Sequence, residues 1–171
     1  EEIVVVSSRA ATPTGPWTTI PDHRTEMGPL AGIEASLAHA VPSHTALTGL
    51  GALWVRGIGP APRALIVAAP PGAHRVESPG LIATTLRTSA GTVARAVPLG
   101  GIRCAQLDDA AADALRWESL ALVYPTLMGA FRAGVLTPQS VADAVAGRSS
   151  RAPGYKRMAE AWRALAGALE D

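Results

Sequence analysis

Apolar residues recur along this chain in three successive rhythms, and each rhythm predicts a different kind of element. Residues 3–8 read IVVVSS, a β-branched run with the composition of a strand. Four prolines and two glycines between residues 11 and 29 predict a loop, with a short extended piece at 17–20. Across residues 30–39, Leu30, Ile33, Leu37 and Ala38 share one face at helical spacing. Ser43 stands as an N-cap for a second helix over 45–54, and the Gly/Pro-rich stretch 57–62 then breaks the chain.

The rhythm shortens after that break. Residues 63–69 (RALIVAA) form a short apolar run closed by Pro70-Pro71-Gly72, and residues 81–88 (LIATTLRT) form another. Two more strands are expected at 92–97 and 102–105, separated by Pro98 and Gly100-Gly101. Short strands with Pro/Gly turns predict a small, mostly antiparallel sheet.

From Gln106 onward the period is helical. Asp108 and Asp109 sit in a first turn, where the helix dipole favours acids, and Leu107, Ala111, Ala114 and Leu115 make an apolar stripe. Pro125 predicts a kink, or two helices, within 118–133. The next helix carries the clearest punctuation: Thr137 as N-cap, Pro138 as its first residue, Gly147 past its end, and Leu136 poised to staple onto Val141. A final helix over 155–169 places Met158, Trp162, Leu165 and Leu169 on one side. The fold class expected is therefore α+β, a small mostly antiparallel sheet with a C-terminal helical subdomain. Its parts are residues 1–29 (a strand and a Pro/Gly-rich segment), 30–105 (helices plus sheet) and 106–171 (the helical subdomain).

Composition narrows the function classes. At 171 residues, 48% hydrophobic but only 4% aromatic, the chain can bury a core, which Ala, Val and Leu must supply. A single cysteine, Cys104, excludes a disulfide framework or a thiolate metal site. No run of 18 apolar residues occurs and Glu1-Glu2 is no signal-peptide start, so a soluble cytoplasmic protein without membrane contact is expected.

Net charge is only +1, but it is unevenly spread. Residues 44–103 hold six arginines against Glu77, and residues 104–146 hold five acids against Arg116 and Arg132. The tail then carries Arg148, Arg151, Lys156, Arg157 and Arg163 with only Glu160 among them.

Catalytic chemistry finds no foothold. The four histidines show no metal-ligand spacing, and Ser43-His44 adjacency rarely yields triad geometry. Asp108, Asp109 and Asp113 are explained by helix capping and solvation. The Gly pairs at 49/51, 57/59 and 100/101 match no phosphate-loop pattern. No enzyme activity, metal or cofactor is expected. The tail cations are the candidate DNA- or partner-binding stripe: Lys156 and Arg163 are seven apart on one helix face, near Arg148 and Arg151.

Two family resemblances add to this. Gly28-Pro29-Leu30-Ala31-Gly32, following Asp22, resembles the GPLAG segment of molybdenum-cofactor guanylyltransferases. It implies GTP binding on a parallel sheet, but it spans about forty residues, and Pro70-Pro71 stand where that family has a metal-binding acid. The second covers far more of the chain. Ser43-His44-Thr45-Ala46, Gly49-Leu50, the strand with its Pro-Gly turn, Gly101-Ile102-Arg103, Asp113 in its helix and Arg132-Ala133-Gly134-Val135-Leu136-Thr137-Pro138 follow one another as in the AbiEi antitoxin family of type IV toxin–antitoxin systems.

That second resemblance implies an abortive-infection regulator that neutralises a nucleotidyltransferase toxin and contributes to transcriptional autorepression. Its implied partners are the toxin and promoter DNA, with homodimerisation as a further option. Such proteins usually begin with a winged helix-turn-helix, and residues 1–29 read as at most the remnant of its wing.

Overall fold

A computed structural model describes residues 3–7, 17–21, 41, 43–73 and 83–170. Strands β1 (Ile3–Ser7) and β2 (Trp17–Pro21) pair in parallel, with Ile3 opposite Trp17. The expected helix at 30–39 and the Gly28–Gly32 segment lie outside the described residues.

The main sheet has five strands: β3 (Ala46–Thr48), β4 (Ala64–Ala69), β5 (Ala83–Thr88), β6 (Val97–Leu99) and β7 (Ile102–Cys104), in the order β5-β4-β3-β7-β6. Residues 65–69 are all buried, as a strand covered on both faces must be. The architecture is α+β with helices gathered at the C-terminus. The sheet, however, is mixed: β4–β5 and β3–β7 run parallel, while β3–β4 and β6–β7 run antiparallel. Connection length bears on two of these pairs. Gly100-Gly101, with Gly100 at φ 59°, closes a two-residue hairpin between β6 and β7. Residues 70–82 are long enough for the crossover that a parallel pair needs.

Six helices complete the described residues: α1 (Gly49–Trp54), α2 (Ala90–Arg95), α3 (Leu107–Trp117), α4 (Leu120–Arg132), α5 (Pro138–Ala146) and α6 (Tyr155–Glu170). Helix α3 is the axis of the core, touching α1, α4, α5 and α6, and every residue from Asp109 to Arg116 is buried. Met158 and Leu165 of α6 are buried with it.

Three local expectations are corrected. The helix expected over 45–54 begins only at Gly49, because residues 46–48 pair with β4 on one side and β7 on the other. The strand expected over 92–97 is mostly α2, with only Val97 entering β6. Of the two alternatives at Pro125, the division into two helices does not occur, and α4 is one helix. The proline lacks the N–H that would reach Ala121, and the next residue's hydroxyl donates back to Leu122 O at 2.8 Å. The helix after Thr137 is as expected: Thr137 Oγ1 accepts the Ser140 N–H at 3.1 Å, with Pro138 at the first position.

Candidate functional site

Helix α3 carries its acids inward. Asp109 and Asp113 are both 0% exposed, so the solvated face expected for them does not exist. With alanine at 110, 111, 112 and 114, α3 is small on every side, neighbours close around it, and its carboxylates must find partners inside.

Those partners come from three directions. Arg95, at the end of α2, clasps Asp109 with Nε at 2.9 Å and Nη2 at 2.5 Å. Arg148, from the loop after α5, donates through Nη2 to Asp109 Oδ1 at 2.9 Å and lies 3.4 Å from Asp113 Oδ1. Thr48 and Thr92 donate hydroxyls to Asp113 Oδ2 at 2.8 and 3.0 Å. With the Thr92 hydroxyl committed to Asp113, Ser89 is the donor across its 2.8 Å contact with Thr92. Arg148 Nη1 in turn donates to Ser89 Oγ at 3.3 Å. A polarised chain thus runs from Arg148 through Ser89 and Thr92 to Asp113.

The electrostatics follow from the burial. Desolvation pushes the Asp113 carboxyl above the ordinary carboxylate range, opposed first by Arg148 and then by the two threonines. The hydrogen-bonded Asp109 carboxylate holds Arg95 more firmly protonated than a free arginine. Burial lowers Arg116, whose guanidinium stacks 4.3 Å over Trp117. Burial also raises the Cys104 thiol to about 11, which leaves it a core residue rather than a nucleophile. With no exposed surface, the two carboxylates serve here as anchors for the arginines around them.

A second knot ties the ends of α1 and α3. Thr48 occupies the N-cap of α1 but gives its hydroxyl to Asp113, so the cap comes from elsewhere. Glu118, just past α3, accepts the Leu50 N–H at 2.6 Å. Burial raises its carboxyl to about 7. Arg157 of α6 donates to the freed carbonyls of Arg116, at 2.8 Å, and Glu118, while Arg116 Nε donates to Pro153 O at 2.5 Å.

The five tail cations therefore do not form one stripe. Arg148 has a side chain only 9% exposed and belongs to the buried cluster, and Arg157 is engaged at the α3 terminus. Arg151, Lys156 and Arg163 are exposed, Lys156 within 4.0 Å of Glu160. In the arginine-rich segment, Arg56 and Arg103 likewise bond backbone carbonyls, of Ala52 and Ala105 and of Val93 respectively. Ser43 and His44 are exposed, and His23, His39 and His74 lie outside the described residues.

Apolar surface is also displayed. Leu122 on α4 is 50% exposed and Val135 48%. Val135 borders a hollow of about 310 Å³ between the 57–60 turn and α4, lined in part by Pro125, Gly129 and Ala133. Among the described residues no group of three acids, histidines or cysteines could hold a metal, and no helix is long and apolar enough to cross a membrane.

No family model and no curated protein matches the sequence. Among solved structures, the crystal structure of the RV2827C protein from Mycobacterium tuberculosis is similar, with a TM-score of 0.51 and 14% identity over 89% of this chain. At that identity the likeness shows the fold alone. The chain spans 59% of that protein's length.

Proposed function

We propose that this chain is a regulatory binding module of antitoxin type, neutralising a nucleotidyltransferase toxin by direct contact and contributing to autorepression at promoter DNA. The display of Arg151, Lys156 and Arg163 carries this reading. These exposed cations lie on α6 and the loop before it, and that helix is held to the core by Met158, Leu165 and the Arg157 tie. A helix anchored to the core with exposed cations on its outer side suits an acidic protein surface or a phosphate backbone. The exposed Leu122 and Val135 add apolar area of the kind that protein interfaces use.

The test is the affinity of the purified chain for the nucleotidyltransferase encoded beside it and for its promoter DNA, before and after Arg151, Lys156 and Arg163 are changed together to Ala. The substitution should weaken toxin binding about tenfold or more, mainly through the association rate, and flatten its salt dependence. Unchanged affinity for both partners would remove these residues from the binding surface.

A further inference from the structure

We propose that the guanidinium groups of Arg95 and Arg148, converging over the bare Cα of Gly91, bind the phosphate group of a small ligand, either free phosphate or a phosphomonoester. The site is distinct from the exposed cations of α6 and does not depend on the function proposed above. The point that a Cβ of Gly91 would occupy lies 3.8 Å from Nη1 of Arg95 and 3.8 Å from Nη1 of Arg148. An oxyanion resting at van der Waals distance on the Gly91 Cα would lie between the two Nη1 groups.

Both donors are aimed before any ligand arrives. Asp109 holds Arg95 through Nε and Nη2, and Arg148 through Nη2, which turns both Nη1 groups away from the carboxylate. Arg148 Nη1 makes one long bond, 3.3 Å to Ser89 Oγ, and keeps a second N–H. Arrested arginines lose little further side-chain freedom on binding.

Burial points the same way. Arg95, Arg116 and Arg148 gather around Asp109 and Asp113, with Asp108 also acting on Arg95. Two of those cations are nearly sealed, with Arg116 4% and Arg148 9% exposed at the side chain. An anion can reach the pair of Arg95 and Arg148 only from the cluster's open edge. Arg95, 54% exposed, is that open edge.

Geometry selects a terminal phosphate over a nucleic-acid backbone. Arg148 lies beneath the surface, so the anion must project inward to reach it. A phosphomonoester or free phosphate offers three or more unesterified oxygens for this approach. A phosphodiester within a strand has only two, with the chain continuing on both sides.

The experiment follows the Gly91 amide by ¹H–¹⁵N correlation spectroscopy while the intact chain is titrated with potassium phosphate, a nucleoside monophosphate, a short DNA duplex, and potassium chloride at matched ionic strength. Phosphate or the monophosphate should give a saturable shift below about 10 mM that chloride does not. Gly91→Ala fills the cradle without straining the backbone, since Gly91 is not among the glycines with positive φ and alanine favours helices. It should stay folded and bind about tenfold or more weakly, as should Arg95→Gln. Tighter binding of the monophosphate assigns the ester, and equal affinity assigns free phosphate. No saturation, unaltered binding by Gly91→Ala, or a response to the duplex alone would each overturn the proposal.

Discussion

Glu118 closes the first turn of a helix far before it in the chain: its Oε2 accepts the N–H of Leu50, 68 positions away, at 2.6 Å. The same carboxyl lies directly over Gly49, whose φ of 62° and missing Cβ make room for it. This one contact joins the start of α1 to the end of α3.

Glu118 should make stability depend on pH. Burial raises its carboxyl from 4.5 to about 7, so the folded state holds this proton more tightly than the unfolded chain does. The contribution is full below pH 4.5 and is lost as pH rises through about 7, a decline on the order of 3 kcal/mol. Glu118→Gln keeps an oxygen for Leu50 and should remove most of the slope, leaving a residue of the same sign from Asp113, which burial also raises. Urea unfolding at closely spaced pH values measures this. An unchanged slope in the variant would rule Glu118 out as its source.

Arg148 and Arg151 sit three positions apart and should behave as different kinds of residue. Arg148→Ala strips Asp109 and Asp113 of a buried partner and should cost about 3–5 kcal/mol. Arg95→Ala, at the exposed edge, should cost about 1 kcal/mol. Arg151→Ala should fall within about 0.5 kcal/mol of the parent. Chemical denaturation of the three variants gives the order, and a small loss for Arg148→Ala would dissolve the anchor argument.

Gly49→Ala should be worse than Gly72→Ala. Both glycines have positive φ, 62° and 79°, so both variants bear a left-handed penalty of about 1–2 kcal/mol. Only at Gly49 would the new methyl overlap the Glu118 carboxylate, while at Gly72 it meets none of the described residues. Melting temperatures by circular dichroism should separate them, and equal losses would mean that Glu118 gives way freely.

Thr137→Ala should cost about 1 kcal/mol by removing the acceptor for Ser140 N–H, and Thr137→Ser should recover most of it. A neutral Thr137→Ala would place the start of α5 under tertiary control alone.

Much of the C-terminal half was legible because its signals are local. The Thr137-Pro138 cap, the Met158–Leu165 face and the Gly100-Gly101 hairpin each lie within a few residues of the structure they specify. The candidate site was less legible. Arg148, Arg151, Lys156, Arg157 and Arg163 look alike in sequence, and only packing separates buried Arg148 and tethered Arg157 from the displayed ones. A sign of the buried cluster was present in the alanines around Asp109 and Asp113, which leave α3 no broad polar face. Nothing local pointed to Ser89, Thr92 or Arg95 as its partners.

By itself the sequence determined the α+β class, the apolar strand at 64–69 and the punctuation of α5, because short-range sterics and hydrogen bonding settle these. Tertiary structure decided that residues 46–48 pair as a strand, that α3 turns its acids inward and that Arg148 follows them. The reason is physical: a buried carboxylate is stable only beside cations and hydroxyls, and here α2, β3 and the loop after α5 bring those together from distant positions.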